Sequence, residues 1–242
     1  MKNQKDFWNQ QYKKPTHLAL SDVQSEDLEK FTRYLVREHR KKFLNVTTRV
    51  VDLGCGNGRN LIYLSKEFGV HGLGYDISRE AIMQAQRAAT TIVNYSSGEI
   101  KKGLPVQFEV RSIAEAIPFP DSSVTIALDM MSSHVLLKAE RENMRSEVLR
   151  VLRPEGWFFF KSFLLDEDLN AARLLREAPG PEEGMYIHPE IGAPEYVWTE
   201  EALRDFFEPY FTIHKIEKSY RHLHSDGSAW KRRTVSAYLQ KA

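Results

Sequence analysis

Several features that define whole classes of proteins are scarce or missing in this sequence. Cys55 is the single cysteine among 242 residues, which excludes an internal disulfide and is typical of a reducing compartment. No apolar run reaches the roughly 18 residues of a membrane-spanning helix, and the first residues contain no apolar signal segment. The net charge of +1 provides no overall attraction to nucleic acid or to a membrane surface. We therefore expect a cytoplasmic protein that does not associate with membranes.

Internal repeats and low-complexity tracts are also missing, and 42% of the residues are hydrophobic, as in soluble globular domains. From residue 49 onward, short apolar runs alternate with amphipathic helical patterns, which predicts a parallel sheet covered by helices on both faces. A polar connection (94–103), a turn (153–156) and a long loop rich in proline and glycine (178–196) interrupt this pattern. The predicted strands cover residues 49–53, 70–75, 106–110, 124–128, 157–163, 211–217 and 233–239.

The most informative segment is an apolar strand that ends in Asp52 and continues through a glycine-packed turn into a helix. Gly54, Gly56 and Gly58 have the spacing GxGxG, whereas the dinucleotide pattern GxGxxG would need its third glycine at Arg59. An acid at the strand end repels phosphate but attracts an ammonium group. S-adenosylmethionine (SAM) has an ammonium group, and its carboxylate suits the N–H groups at a helix N-terminus. The segment therefore predicts a SAM site; the alternative is a glycine-rich loop without a ligand.

Asp52, Gly54, Gly56 and Gly58 match one for one the first motif of the class I SAM-dependent methyltransferases, and the chain resembles this family. Within the family the chain resembles the small-molecule methyltransferases, and the resemblance is strongest over residues 45–165. It implies an α/β fold, a Rossmann-like three-layer sandwich. The mostly parallel, seven-stranded sheet would have the order 3-2-1-4-5-7-6 with an antiparallel C-terminal hairpin. The resemblance also implies SAM as methyl donor and S-adenosylhomocysteine (SAH) as product.

The resemblance divides a single methyltransferase domain, residues 1–242, into four regions. An N-terminal helical flap (1–44) precedes the SAM-binding core (45–165). An inserted loop, interpreted as a lid, and a helix follow (166–210), and a C-terminal β-hairpin (211–242) completes the chain.

Further cofactor contacts are predicted around the glycine turn. Asp76 ends the second strand, where a carboxylate can accept hydrogen bonds from both ribose hydroxyls, and the resemblance implies that Ile77 packs on the adenine. Ser112 stands where the family often has an acid for the adenine amino group, and Glu115 could replace that acid from the next turn.

The N-terminal segment with Trp8 and Tyr12 looks like the opening of several small-molecule methyltransferases, in which a tyrosine can bind the SAM carboxylate. The alternative is an amphipathic helix whose aromatic side chains only pack on the body of the protein. The predicted cofactor-binding residues are Trp8, Tyr12, Asp52, Gly54, Cys55, Gly56, Gly58, Asn60, Asp76, Ile77, Ser112, Ile113, Asp129 and Met130.

Methyl transfer from a sulfonium mainly requires that the acceptor be held close and in line, with proton removal for some oxygen and nitrogen acceptors. Asp129 and His134 lie at the ligand-facing end of the fourth strand, and His188 lies in the loop rich in glycine and proline. These three residues are the candidate catalytic groups, as a base or as groups that orient the acceptor. For the two histidines the alternatives are a packed or helix-capping side chain and a surface side chain. The predicted substrate-binding residues are Met131, His134, Tyr186, His188, Tyr220 and Arg221.

Basic and aromatic residues concentrate near the C-terminus, at 220–224 and 231–233. They could bind an anionic acceptor such as a carboxylate or a phosphate, or they could form a solvated face of the hairpin. His222 and His224 project to the same side of a predicted strand, but no third ligand stands at a recognisable spacing, so no metal site is predicted.

We predict a SAM-dependent methyltransferase that acts on an oxygen or nitrogen atom of a small molecule. Nucleic acid, such as tRNA, or protein is an alternative acceptor, and only the basic C-terminal residues support it. A non-catalytic SAM-binding subunit that activates a partner is a further alternative, because the cofactor motif is intact but no strong catalytic signature accompanies it. The sequence gives no indication of the oligomeric state.

Overall fold

The computed structural model describes residues 4–16, 20–91, 93–96, 99–219 and 232–242. The helices are α1 (Gln4–Lys13), α2 (Glu26–His39), α3 (Arg59–Phe68), α4 (Arg79–Thr91), α5 (Lys138–Val151), α6 (Leu169–Glu177) and α7 (Glu200–Phe207). The strands are β1 (Arg49–Leu53), β2 (His71–Asp76), β3 (Val93–Ser96), β4 (Glu99–Lys102), β5 (Val106–Val110), β6 (Val124–Met130), β7 (Leu152–Phe163), β8 (Met185–Ile187), β9 (Pro194–Tyr196), β10 (Thr212–Lys218) and β11 (Thr234–Gln240).

The central sheet has seven strands in the order β5-β2-β1-β6-β7-β11-β10. Counted by chain order within this sheet, that is 3-2-1-4-5-7-6, so the predicted topology is confirmed. Strands β5, β2, β1, β6 and β7 pair in parallel, and β11 and β10 are antiparallel. The carboxyl ends of the parallel strands therefore meet at one edge, where ligands bind in open α/β sheets.

Aromatic residues that alternate along β7 form the core on both faces of the sheet. Phe158 and Phe160 pack against Phe207 of α7, with ring centroids 5.8 and 4.9 Å apart. On the opposite face Phe159 stacks on Phe31 of α2 at 4.9 Å. Successive side chains of a strand point to opposite faces, so a continuous apolar run indicates a strand that is covered on both sides.

Local signals in the sequence determine several helix ends. Ser78 accepts a hydrogen bond from the backbone N–H of Ala81 at 3.2 Å and so caps α4. Thr199 caps α7 in the same way, and Gly69 ends α3 in a left-handed conformation.

Three segments differ from the sequence prediction. The polar connection at 94–103 contains an antiparallel pair, β3 and β4, and the loop at 178–196 contains a second pair, β8 and β9. The turn at 153–156 lies within β7 as a bulge, because Leu152 pairs with Val124 and Trp157 with Ile126. In the first two segments, pairing with a partner strand satisfies backbone groups although the composition favours turns.

Within the ranges given above, every helix is too short or too polar to cross a membrane.

Phe159 provides a test of this packing. Replacing Phe159 by Ala should lower the free energy of unfolding by about 3–5 kcal/mol, because a buried ring stacked on Phe31 is lost. Urea denaturation followed by circular dichroism measures this change. The control is Val23→Ala, at a side chain that is 64% exposed, which should cost less than about 0.5 kcal/mol. A loss below about 1 kcal/mol for Phe159→Ala would contradict the packing described here.

Candidate active site

A cavity of about 410 Å³ opens at the carboxyl ends of the parallel strands. Most of the predicted cofactor and substrate residues line it, although they come from distant parts of the sequence. The predicted residues in its wall are Trp8, Tyr12, Asp52, Gly54, Cys55, Gly56, Asn60, Asp76, Ile77, Ser112, Ile113, Met130, Met131, His134 and His188.

Three carboxyl groups lie at the ends of adjacent strands on one side of this cavity. Asp52 is the penultimate residue of β1, Asp76 is the last residue of β2 and Asp129 is the penultimate residue of β6. Asp52 is buried, and its Oδ2 has no hydrogen-bond partner among the described residues. Burial, together with the charges of Asp129 and Asp76, raises the pKa of Asp52 to about 8. This end of the cavity therefore favours a positively charged ligand group.

Asp129 lies behind the cavity wall. Its Oδ1 accepts hydrogen bonds from the backbone and hydroxyl of Ser132, at 3.2 and 2.5 Å, and from the backbone of Ser133 at 3.2 Å. Burial raises the pKa of Asp129. Asp129 thus shapes the loop after β6 and adds negative charge, rather than forming part of the lining itself.

The glycines of the turn leave space for neighbouring side chains. A Cβ atom at Gly54 would lie 2.3 Å from the Cβ of Ser132, and one at Gly56 would lie 2.3 Å from the hydroxyl oxygen of Tyr12. Gly58, a predicted cofactor residue, instead lies under Phe108 and outside the cavity lining.

Cys55 is buried, and burial raises the pKa of its thiol, which indicates a small packed residue rather than a reactive one.

Asp76 is held in a fixed orientation at the end of β2. Its Oδ2 accepts a hydrogen bond from the backbone N–H of Gly56 at 3.0 Å, and its Oδ1 accepts one from the backbone N–H of Ser78 at 2.8 Å.

Ser112 lines the cavity, whereas Glu115 is outside the lining and pairs with Arg111 at 3.6 Å. A replacement of the adenine-binding acid by Glu115 therefore has no support in the cavity lining.

Helix α1 covers the cavity and places Trp8 and Tyr12 in its wall. Asn9 anchors the helix, because its side-chain oxygen accepts hydrogen bonds from the Ser78 hydroxyl at 3.1 Å and the Glu80 backbone at 3.3 Å. Burial and the charge of Asp76 raise the pKa of Tyr12, so its hydroxyl remains a hydrogen-bond donor. The predicted flap thus contributes directly to the site.

The far end of the cavity is formed by residues on three separate segments. His134 lies in a short 3-10 helix, Ser133–Val135, with its Nε2 3.8 Å from the Oε1 of Glu195 on β9. Burial, with the charges of Arg232 and His188, lowers the pKa of His134 to about 3, which keeps the ring neutral. The Nη1 of Arg232 donates a hydrogen bond to the Oε2 of Glu195 at 2.5 Å.

Sequence reasoning missed Glu195 completely, because nothing in its local sequence distinguishes it from a surface acid. Arg232 belongs to the basic stretch that was considered for binding an anion, but it was not named as a site residue. Burial raises the pKa of Glu195 to about 7, whereas the adjacent guanidinium of Arg232 favours the charged carboxylate.

Tyr186, Asn60, Tyr220 and Arg221 are the remaining predicted residues. Tyr186 is fully buried behind the wall, and its hydroxyl is hydrogen-bonded to Glu195 and Arg232. Asn60 lines the cavity, but its side-chain oxygen accepts a hydrogen bond from the Ser25 backbone at 3.0 Å. The predicted substrate residues Tyr220 and Arg221 lie outside the described residues, as do His222 and His224. In the part of the chain that the structure describes, no three His, Cys, Asp or Glu side chains are grouped to hold a metal.

The residues present fit SAM. Asp52 offers a buried, unpartnered carboxylate oxygen to an ammonium group, and Asp76 offers a fixed carboxylate to hydroxyl groups. The N-terminus of α3, which follows Gly58, is a favourable place for a carboxylate.

Known proteins are similar to this chain. Residues 50–156 match a family model described as "Methyltransferase domain". A fatty-acid O-methyltransferase of Mycolicibacterium smegmatis is 26% identical over 155 residues, 64% of this chain and 51% of that protein. A 27-O-demethylrifamycin SV methyltransferase of Amycolatopsis mediterranei is 28% identical over 161 residues, 66% of this chain and 55% of that protein. The chain thus spans about half the length of these curated relatives.

A solved structure of a SAM-dependent methyltransferase from Methanosarcina mazei has a TM-score of 0.65 and is 26% identical. The match covers 82% of this chain and 94% of that one, which agrees with the strand order described above. The sequence prediction of SAM as the cofactor is confirmed by these matches.

Asp52 should make folding stability depend on pH. The folded protein keeps a proton on Asp52 up to about pH 8, whereas the ordinary carboxyl pKa is 3.8. Asp52 therefore lowers the free energy of unfolding of the ligand-free protein progressively as the pH rises from 3.8 to about 8. Above about pH 8 this effect no longer increases. We expect the melting temperature to fall less over this range in Asp52→Asn than in the wild type.

Thermal unfolding monitored by circular dichroism at several pH values measures this difference. The control Val23→Ala changes a side chain that is 64% exposed and carries no titratable group, so the pH dependence of this variant should match that of the wild type. Equal pH dependence in Asp52→Asn and in the wild type would contradict the electrostatic description of the site.

Proposed function

The chain belongs, through residues 50–156, to the class I, Rossmann-like SAM-dependent methyltransferases, and we propose that it methylates an oxygen or nitrogen atom of a small molecule. Bound SAM supplies a methyl group on a positively charged sulfur, which is already an activated leaving group. The protein therefore mainly has to position the acceptor and align it with the methyl group. The cavity, which has a cofactor end and a separate far end, supports this proposal above all.

The size and enclosure of the cavity support a small acceptor. Its volume of about 410 Å³ lies within the roughly 300–1,000 Å³ of small-molecule sites. Helix α1 lies on one side of it, and His188 and Glu195 line it from the β8–β9 segment. The names of the two curated relatives both specify methylation at oxygen, which favours an oxygen acceptor. Transfer of the methyl group to tRNA or protein in place of small molecules would refute the proposal.

The far end of the cavity provides two different groups for an acceptor. Glu195 has a pKa raised to about 7, which suits removal of a proton from a hydroxyl or amine near neutral pH. His134, with its pKa lowered to about 3, is a poor base. We therefore assign His134 the role of orienting the acceptor by a hydrogen bond, and Glu195 the role of base.

Calorimetric titration of the purified protein tests the cofactor site. The wild type should bind SAM and SAH but not NADH, and Asp76→Ala should weaken SAM binding at least about 10-fold, because a charge-assisted contact is lost. The control is Asp205→Ala, at an exposed residue on α7, which should leave SAM affinity unchanged. Unchanged affinity in Asp76→Ala would remove this residue from the site. Absence of binding to all three ligands would favour the non-catalytic subunit.

The role of His134 can be separated from cofactor binding. With an acceptor identified by screening for SAH release, His134→Gln should lower turnover by about 10- to 100-fold, since the acceptor is no longer held in line. SAH affinity should remain within about twofold of the wild type. The control is His71→Gln, at an exposed residue at the start of β2. Unaltered turnover in His134→Gln would exclude the orienting role.

A further inference from the structure

Arg232 has an unusual environment for an arginine. Its side chain is only 10% exposed and lines the far end of the cavity. Nη1 donates hydrogen bonds to Glu195 and to the hydroxyl of Tyr186. Nε and Nη2 are buried, and neither has a hydrogen-bond partner among the residues that the structure describes. Buried donors left without partners are costly, so two of them on one side chain point to a ligand.

Aromatic side chains and Glu195 hold the guanidinium in place. Its central carbon lies 3.5 Å from the ring centroid of Phe163 and 4.9 Å from that of Tyr186. Glu195 occupies the corner at Nη1. Nε and Nη2 form the opposite edge, where two parallel N–H groups match the two oxygens of a carboxylate.

The acids in the neighbourhood are already engaged elsewhere. Asp168, whose charge influences Arg232, accepts hydrogen bonds from the backbones of Ala171 at 2.9 Å and Arg233 at 2.6 Å. Glu195 contacts only Nη1 of the guanidinium. No acid in the described ranges therefore occupies the Nε–Nη2 edge.

Apolar side chains contribute to the cavity lining as well. Phe163 lies directly against Arg232, and Leu136 and Ile191 are other apolar residues of the lining. A ligand that accepts hydrogen bonds from Nε and Nη2 and also packs on these apolar side chains combines one carboxylate with an apolar or aromatic body.

We propose that Arg232 binds a carboxylate of the methyl acceptor through Nε and Nη2, so that the acceptor is an apolar or aromatic carboxylic acid. The inference rests on the proposed function and specifies its substrate class. The carboxylate anchors the acceptor, while the oxygen or nitrogen atom that receives the methyl group lies elsewhere on the molecule. Arg232 is thus a specificity-determining residue.

Simple carboxylates test this site without knowledge of the natural acceptor. Benzoate and octanoate, each compared with its primary amide, are titrated calorimetrically into the protein with and without saturating SAH. The wild type should bind each carboxylate at least about 10-fold more tightly than its amide. Equal affinity for acid and amide, or no binding of either carboxylate, would overturn the inference. Tighter binding of phenyl phosphate than of benzoate would also overturn it, because the site would then select phosphate.

Two variants and a matched control complete the test. Arg232→Lys keeps the charge but loses the paired N–H groups, so its carboxylate affinity should fall about 10-fold while SAH affinity is unchanged. Arg145→Lys is the control, since Arg145 also stacks on aromatic rings, Phe206 and Tyr210, but lies outside the cavity lining. Unchanged carboxylate affinity in Arg232→Lys would overturn the inference.

The second variant avoids leaving one buried charge without its partner, which could prevent folding. Arg232→Gln combined with Glu195→Gln removes both buried charges together, and it should fold with the acid and the amide binding equally well. A retained preference for the acid would overturn the inference. Failure of the wild type to bind SAH would instead refute the proposed function, whereas the titrations without SAH would still report on Arg232.

Discussion

Desolvation of three carboxyl groups that lie at one edge of the sheet is the constraint on which this site depends. The parallel order of β1, β2 and β6 brings Asp52, Asp76 and Asp129 to one edge of the sheet, and burial prevents water from screening them. Such an arrangement costs stability in the ligand-free protein and is relieved by a cation. The acids are therefore explained by the ligand they accept, rather than by the fold they belong to.

The cavity has opposite electrostatic character at its two ends. Acids dominate the end at the glycine turn, whereas the end beyond β6 presents the guanidinium of Arg232, partly compensated by Glu195. Two reactants of opposite charge would be sorted to different ends and oriented toward each other by this field. A single cavity can thus hold a cationic donor and an anionic acceptor in a defined arrangement.

The apolar framework makes this arrangement rigid. Strand β7 contributes buried aromatic side chains to both faces of the sheet, and its end carries Phe163, on which Arg232 lies. The elements that complete the cavity, α1 and the β8–β9 pair, lie outside the parallel core but are fixed to it by hydrogen bonds such as those of Asn9. The cofactor end of the cavity is thus built mainly on the parallel core, whereas residues of the β8–β9 segment contribute to its far end.

The sequence by itself determined the parallel sheet and the cofactor end, because apolar periodicity and the spacing of glycines act over short distances. The strand order followed from the resemblance to the family. Only the tertiary structure decided that Glu195 and Arg232, 37 residues apart, meet beside His134, and that Tyr12 fills the space above Gly56. It also decided the pKa values of Asp52 and His134, since these depend on burial and on neighbours from other strands. Contacts between distant segments leave no local pattern in the sequence, which is why the meeting of Glu195 and Arg232 could not be predicted from it.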